Sequence, residues 1–322
     1  MPNENSTAAI AERYSVRCRY CGQKNSVKED YVNGEAVCGR CRLPLSNAPH
    51  KKFADLSKHD YVHPLDSKAL AALRAIPGID TALRKFLAVT GESAMRVSFM
   101  ASSVKVTPKQ FPDLHAKLQI ACTTLGVDMP DMFVQQNPVV NAFTFGSEKH
   151  IIVLHTALIE RLNDEETLAV ISHEVGHIHA EHVLYLTAAR ILEQLVRVPI
   201  SMIPGAEIIK FMLTASISSA LLAWARRAEL SCDRAALLVV QDPHIIGNVM
   251  MKLAGGTMAS KIDYDEFLAQ GKEFQKNYDE KMLDKFWANI LNAGMTHPFP
   301  VWRVSEILEW VESGDYDELM KK

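Results

Sequence analysis

Long apolar runs are what this sequence most clearly lacks. The richest stretch, Phe211 to Ala225, holds 15 residues between Lys210 and Arg226 and includes Thr214, Ser216, Ser218 and Ser219. That falls short of the roughly 20 apolar residues a membrane-spanning helix requires. Burial in a helical hairpin from Leu195 to Ala225, broken at Pro199, Pro204 and Gly205, is the expectation, with a lid or a peripheral membrane contact as the alternative. A dominant charge is also missing. The 35 Lys and Arg against 38 Asp and Glu leave a net −3, which exerts no general pull toward nucleic acid or membrane. No internal repeat is visible. Met1 to Arg17 lacks the apolar core of a signal peptide, and cysteine is scarce at six, four of them in close pairs suited to a reducing compartment. These features lead us to expect a cytoplasmic protein.

What is present divides into two units. With 322 residues, 48% hydrophobic and 23% charged, the chain can bury one sizeable core and carry a small appendage. We expect a metal-binding unit over residues 1–45, a polar linker over 46–60 punctuated by Pro49, and the main domain over 61–322. The pattern of that domain is α+β and mostly helical: helices around Leu65 to Val89 and Phe111 to Leu125, a small antiparallel or mixed sheet between Met132 and Leu154, then further helices.

The main domain contains His173-Glu174-Val175-Gly176-His177. Four residues of α-helix advance about 6 Å and return to nearly the same azimuth, so both imidazoles can chelate one Zn²⁺. Glu174 then lies within reach of metal-activated water, an arrangement that predicts hydrolysis. Asn163 and Glu166 fit an N-cap and its N3 partner, and apolar residues from Leu168 to Leu184 recur at helical spacing. A hydrolytic zinc needs a third protein ligand and an open position. Glu229, in the helical stretch Ser216 to Gln241, is the candidate, and Asp233 one turn on can accept the second N–H of a ligating histidine or pair with a nearby arginine. Cys232 reads as a small core residue, and His179 and His182 as helix-surface histidines off the chelating face.

Cys18-x-x-Cys21 and Cys38-x-x-Cys41 are separated by 16 residues, within the spacing of a tetrahedral Cys₄ zinc site. Val27 to Val37, centred on Asn33-Gly34, reads as a β-hairpin. So short a segment cannot bury enough apolar surface to fold alone, and metal would supply its stability. Its basic residues could suit nucleic acid, but few aromatics and the acids Glu29, Asp30 and Glu35 favour a module that docks a protein partner. Two zinc ions per chain are therefore expected, one catalytic and one structural.

His-Glu-x-x-His, then Glu-x-x-x-Asp about 50 residues on, then Thr296-His297-Pro298 and Arg303 together resemble the HtpX-like gluzincins, metallopeptidase family forty-eight, which also includes the type I CaaX prenyl proteases. Asn141-Ala142-Phe143-Thr144 is similar to the segment before the active-site helix there, and the stretch from Trp224 to Arg234 resembles the soluble bacterial branch. Cys38 to Leu45 resembles the zinc ribbon of some bacterial thioredoxins. The family resemblance runs from about Leu65 to Trp310. It implies a gluzincin core with a small sheet beside the active-site helix, His173, His177 and Glu229 on zinc, and Glu174 as catalytic base. It also implies a polypeptide substrate lying along an edge strand, here Asn141 to Phe145 or Ile151 to Leu154. His297 or Arg303 would stabilise the oxyanion, although His297 could equally cap the next helix and Arg303 could position the acids. The expected function is a zinc endopeptidase in protein quality control. The alternatives are a zinc-stabilised adaptor or chaperone-like binder with a vestigial site, and a small-molecule zinc amidase.

Overall fold

The computed structural model of the protein describes residues 13–18, 23–28, 36–40, 42–45, 53, 55–90, 92–195, 206–212, 214–277, 282 and 299–322. At the N-terminal end β1 (Arg13–Arg17) and β2 (Lys24–Lys28) pair antiparallel, with Arg17 opposite Lys24. Cys18 N–H closes this hairpin on Gln23 O at 2.9 Å. The chain therefore doubles back between Cys18 and Gln23, ahead of the hairpin expected over Val27 to Val37. Val27 belongs to β2, Val37 makes an isolated bridge to Pro44, and the Asn33-Gly34 tip lies outside the described residues. Cys18, Val27, Cys38, Leu43 and Leu45 are buried and continuous with the main core, and Arg40 Nη2 donates to Gln119 Oε1 at 3.0 Å.

The main domain continues through α1 (Pro64–Arg74), α2 (Ile79–Val89), α3 (Glu92–Ser102), β3 (Val104–Lys105), α4 (Pro112–Leu125), β4 (Asp131–Gln135), β5 (Ala142–Phe145), β6 (Ile151–His155) and α5 (Thr156–Arg161). It is completed by α6 (Asp164–His179), α7 (Val183–Leu195), α8 (Ala206–Met212), α9 (Ala215–Val240), α10 (Pro243–Gly255), α11 (Tyr264–Asn277), α12 (Pro300–Glu312) and α13 (Asp315–Lys321). This is the expected α+β, mostly helical class. Among the described residues no helix is long and apolar enough to cross a membrane.

The sheet has the order β3-β4-β6-β5 and is mixed: β4 and β6 run parallel, the other neighbours antiparallel. Side chains alternate between its two faces. Met132, Val134, Ile152 and Leu154 enter the core shared with α4, α6 and α10, whereas Phe133, Ile151 and Val153 enter a second core under α2, α7 and α8. Both faces of β6 are thus covered, which is why its sequence is an unbroken apolar run. It is a central strand, so the alternative of substrate pairing along Ile151 to Leu154 is excluded. The open edge near α6 belongs to β5.

Helix α6 begins as its sequence predicts. Asn163 Oδ1 accepts from Glu166 N at 2.9 Å, and Glu166 Oε2 accepts from Asn163 N at 2.8 Å, a reciprocal cap that satisfies two otherwise orphaned donors. Glu166 also takes Lys252 Nζ at 2.6 Å, and Asp164 takes the buried Lys117 at 2.7 Å, tying α10 and α4 to the start of this helix. The helix does not run on to Val183 and Leu184. Glu181 adopts φ +60°, and His182 N donates to His177 O, so the chain turns and restarts as α7.

Candidate active site and metal centre

His173 and His177 leave the same face of α6 with their rings 4.9 Å apart, and α9 brings Glu229 opposite them. Glu229 Oε2 lies 3.3 Å from His173 Nε2, and its Oε1 lies 3.5 Å from His177 Nε2. Zinc-to-ligand bonds of 2.0–2.2 Å at tetrahedral angles place neighbouring donors about 3.3–3.5 Å apart. The three side chains are buried and supply two imidazole nitrogens and a carboxylate oxygen, a donor set that fits one zinc ion with a position left for solvent. The close packing of the two helices makes this geometry possible. A Cβ on Gly176 would stand 2.8 Å from Ala235 Cβ and 3.4 Å from Cys232 Cα.

The outer nitrogens of the two histidines meet different surroundings. His173 Nδ1 lies 3.0 Å from Asp233 Oδ1. Asp233 is gripped in turn by Arg303, Nε to Oδ2 at 2.7 Å and Nη2 to Oδ1 at 2.6 Å, with Arg303 Nη1 3.4 Å from Glu229 Oε2. Burial disfavours a charged His173, but the Asp233 and Glu229 carboxylates outweigh it and push its pKa up to about 9. At His177 burial, with the His173 charge beside it, prevails over Glu229 and Glu174, and its pKa is pushed down to about 4. Burial would likewise raise Asp233, yet Arg303 and His173 hold it below the ordinary carboxylate range. Loading a metal must therefore release the proton held on His173.

Glu174, one residue after the first histidine, is fixed by a residue whose role went unassigned in the sequence. Thr144 Oγ1 lies 2.7 Å from Glu174 Oε2 and 3.0 Å from its backbone O. Beside the three donors opens an apolar chamber of about 360 Å³, walled by Leu158, Val170, Ile246, Val249, Met250 and Leu253, with Asn141 and Ala142 at its rim. Phe143 does not face it. Strand alternation turns that ring to the opposite side, against Phe99 and beneath the Arg190 guanidinium, each at 5.3 Å.

The usable edge of β5 is shorter than the Asn141 to Phe145 stretch expected. Asn141 O accepts from His155 N at 3.0 Å, so the alternation of an antiparallel ladder turns the main-chain groups of Ala142 and Thr144 outward. Arg190 donates to Thr144 O, and Thr187 Oγ1 accepts from Gly146 N at 3.1 Å, so α7 covers the far end and leaves Ala142 beside Glu174.

Two readings of histidine are corrected. His182 is buried, not on the helix surface: Nε2 lies 3.0 Å from Asp66 Oδ2 and Nδ1 lies 3.4 Å from His177 Nδ1. His179 is half-buried, with Tyr61 OH 2.8 Å from its Nδ1 and the two rings stacked. Cys232 is fully buried, but its Sγ lies 3.1 Å from His177 Nδ1, so it borders the site. His297 lies outside the described residues, as do Cys21 and Cys41. Cys38 Sγ accepts from Arg40 N at 3.4 Å and from Asn25 Nδ2 at 3.6 Å.

The model of peptidase family M48 matches residues 108–311, well over half of the chain. The chain belongs to peptidase family M48. As an M48 member it is a zinc-dependent metalloendopeptidase acting on polypeptides. A plastoglobule-localized chloroplastic metallopeptidase 48 from Arabidopsis thaliana is 38% identical over 88% of this chain and 81% of the relative. A protease HtpX homolog 2 from Methanosarcina mazei is 27% identical over 47% of this chain and 58% of the relative. A protease HtpX homolog from Caldanaerobacter subterraneus is 33% identical over 29% of this chain and 32% of the relative. No solved structure matches the chain.

For this M48 protease the contact at Gly176 gives a direct expectation. Gly176→Ala should drive α9 away from α6, at an overpacking cost of about 1–3 kcal/mol. It should also weaken zinc binding at least tenfold, because the histidines and Glu229 sit on the separated helices. Urea unfolding and chelator competition measure the two effects.

Proposed function

We propose that this chain cleaves unfolded polypeptides, with His173, His177 and Glu229 holding the catalytic zinc and Glu174 serving as general base. What carries the reading is the convergence of three buried ligand side chains, whose donor atoms lie within 4.8 Å of one another, with Glu174 beside them. Zinc held there supplies Lewis acidity that lowers the pKa of water and polarises a carbonyl. Glu174 takes the proton of the attacking water and passes it to the leaving amine, and the Thr144 hydroxyl keeps its carboxylate aimed. The outward main-chain groups of Ala142 pair with the substrate backbone, and the apolar chamber seats a neighbouring side chain. Pairing through main chain demands little of the substrate's sequence, which suits a protease of protein quality control. Arg303, with both Asp233 oxygens engaged, acts by positioning Asp233 and Glu229.

The N-terminal unit, residues 1–45, we assign as a zinc ribbon held by Cys18, Cys21, Cys38 and Cys41, joined through residues 46–60 to the peptidase over 61–322. Its role is to dock a protein partner. Metal analysis tests the whole scheme. Two zinc ions per chain are expected, His173→Ala removing one and Cys18→Ser weakening the other. A single ion bound only by cysteines in well-folded protein overturns the active-site assignment.

A further inference from the structure

We propose that Asp66 and His182 form a buried proton-positioning relay that sets the tautomer of His177 and thereby tunes zinc affinity. The inference rests on the proposed role of His177 as a ligand through Nε2. With Nε2 turned to Glu229, the ring proton of a neutral His177 must sit on Nδ1, inside the protein, and must find an acceptor there. Two atoms are in place: Cys232 Sγ at 3.1 Å and His182 Nδ1 at 3.4 Å. His182 can accept at Nδ1 only if its own proton is on Nε2. Asp66 Oδ2, 3.0 Å from that nitrogen, enforces this. Asp66 is itself fully buried and held by Trp224 Nε1 on Oδ1 at 2.8 Å and by the Ser231 hydroxyl on Oδ2. The two ligands thus differ. His173 donates directly to a carboxylate, whereas His177 reaches one through a second imidazole. The fold assembles the relay from three places: α1 brings Asp66, the tight α6–α7 turn brings His182, and α9 brings Trp224, Ser231 and Cys232.

Asp66→Asn separates this role from simple packing. Indole N–H only donates, so an amide at position 66 must keep its oxygen toward Trp224 and turn its NH₂ toward His182. His182 then accepts at Nε2 and carries its proton on Nδ1, where it faces the Nδ1–H of His177 donor to donor. Losses of outer hydrogen-bond partners weaken metal binding by about 10–100-fold, and Asp66→Asn is expected in that range by competition with a chromophoric chelator. His182→Ala should cost less zinc affinity, because Cys232 still accepts from His177. It should nevertheless reduce the stability of the zinc-free protein more than Asp66→Asn, because it leaves the buried Asp66 carboxylate with only the neutral donors Trp224 and Ser231. In the His182→Ala background, Asp66→Asn should cost no further affinity.

The relay is overturned if Asp66→Asn binds zinc like wild type, or if its cost is undiminished once His182 is gone. It is also overturned if His182→Ala abolishes a separate bound ion, which would make His182 and Cys232 ligands. ¹⁵N histidine spectra of the unmutated zinc-loaded protein give a readout independent of variant folding: Nδ1–H on His177 and Nε2–H on His182 are expected, and Nδ1–H on His182 is contrary. His173→Ala, measured alongside, must weaken zinc. If it does not, the metal centre itself is misassigned, and the relay is not what has failed.

Discussion

Glu174→Gln should bind zinc as tightly as wild type and cleave an unfolded casein-like substrate about 10²–10⁴-fold more slowly, the usual contribution of a positioned general base. That corresponds to about 3–5 kcal/mol of lost transition-state stabilisation. The substitution is nearly isosteric, and the amide oxygen can still accept from Thr144 Oγ1, now 2.7 Å from Glu174 Oε2, so the side chain should stay where it is. The three donors converge without Glu174, which leaves metal content unchanged. Only the capacity to take a proton is removed. Zinc analysis and initial cleavage rates on the same preparation check this. Equal rates at equal zinc content would eliminate the base mechanism and revive the reading in which the site is a vestige of an adaptor.

The local grammar of the chain was readable where chemistry and capping are written in neighbouring residues. Asn163 and Glu166 announce the start of α6, and the i, i+4 histidines announce its functional face, because both depend on helix geometry alone. The end of the same helix was not readable. No glycine or proline marks it, and the turn rests on Glu181 in the left-handed region, where Lys58 at 2.6 Å and Arg74 at 3.4 Å hold its carboxylate. Helix α3 was missed because none of its residues is fully buried. It is placed through Phe99, which meets the rings of Phe143 and Phe145 at 5.3 and 5.5 Å. The apolar run of β6 specified a strand but not its position in the sheet, since an exposed edge and a centre differ in what covers them, not in spacing. Asp66 could not be connected with His182 from sequence because they stand 116 positions apart, whereas Asp233 was legible through its spacing from Glu229.

Arg303→Met should lower the stability of the zinc-free protein by about 3–5 kcal/mol, the range for removing one partner of a buried ion pair. Arg303 is 6% exposed, and its guanidinium makes two short bonds to Asp233 while lying 3.4 Å from Glu229. Its loss takes the guanidinium from two buried carboxylates and leaves His173 as the group facing both, and methionine fills the space without offering a donor. Zinc should recover part of the loss. A divalent ion on Glu229 neutralises one of those carboxylates and stabilises the folded state by mass action, so the gap between zinc-free and zinc-loaded unfolding midpoints should be wider in Arg303→Met than in wild type. Urea titrations of both forms measure that gap. If Arg303 instead contacted substrate, the variant would keep wild-type stability in both forms and show its defect in KM alone. An unchanged zinc-free midpoint would therefore remove Arg303 from the support of the metal centre and return it to the substrate path.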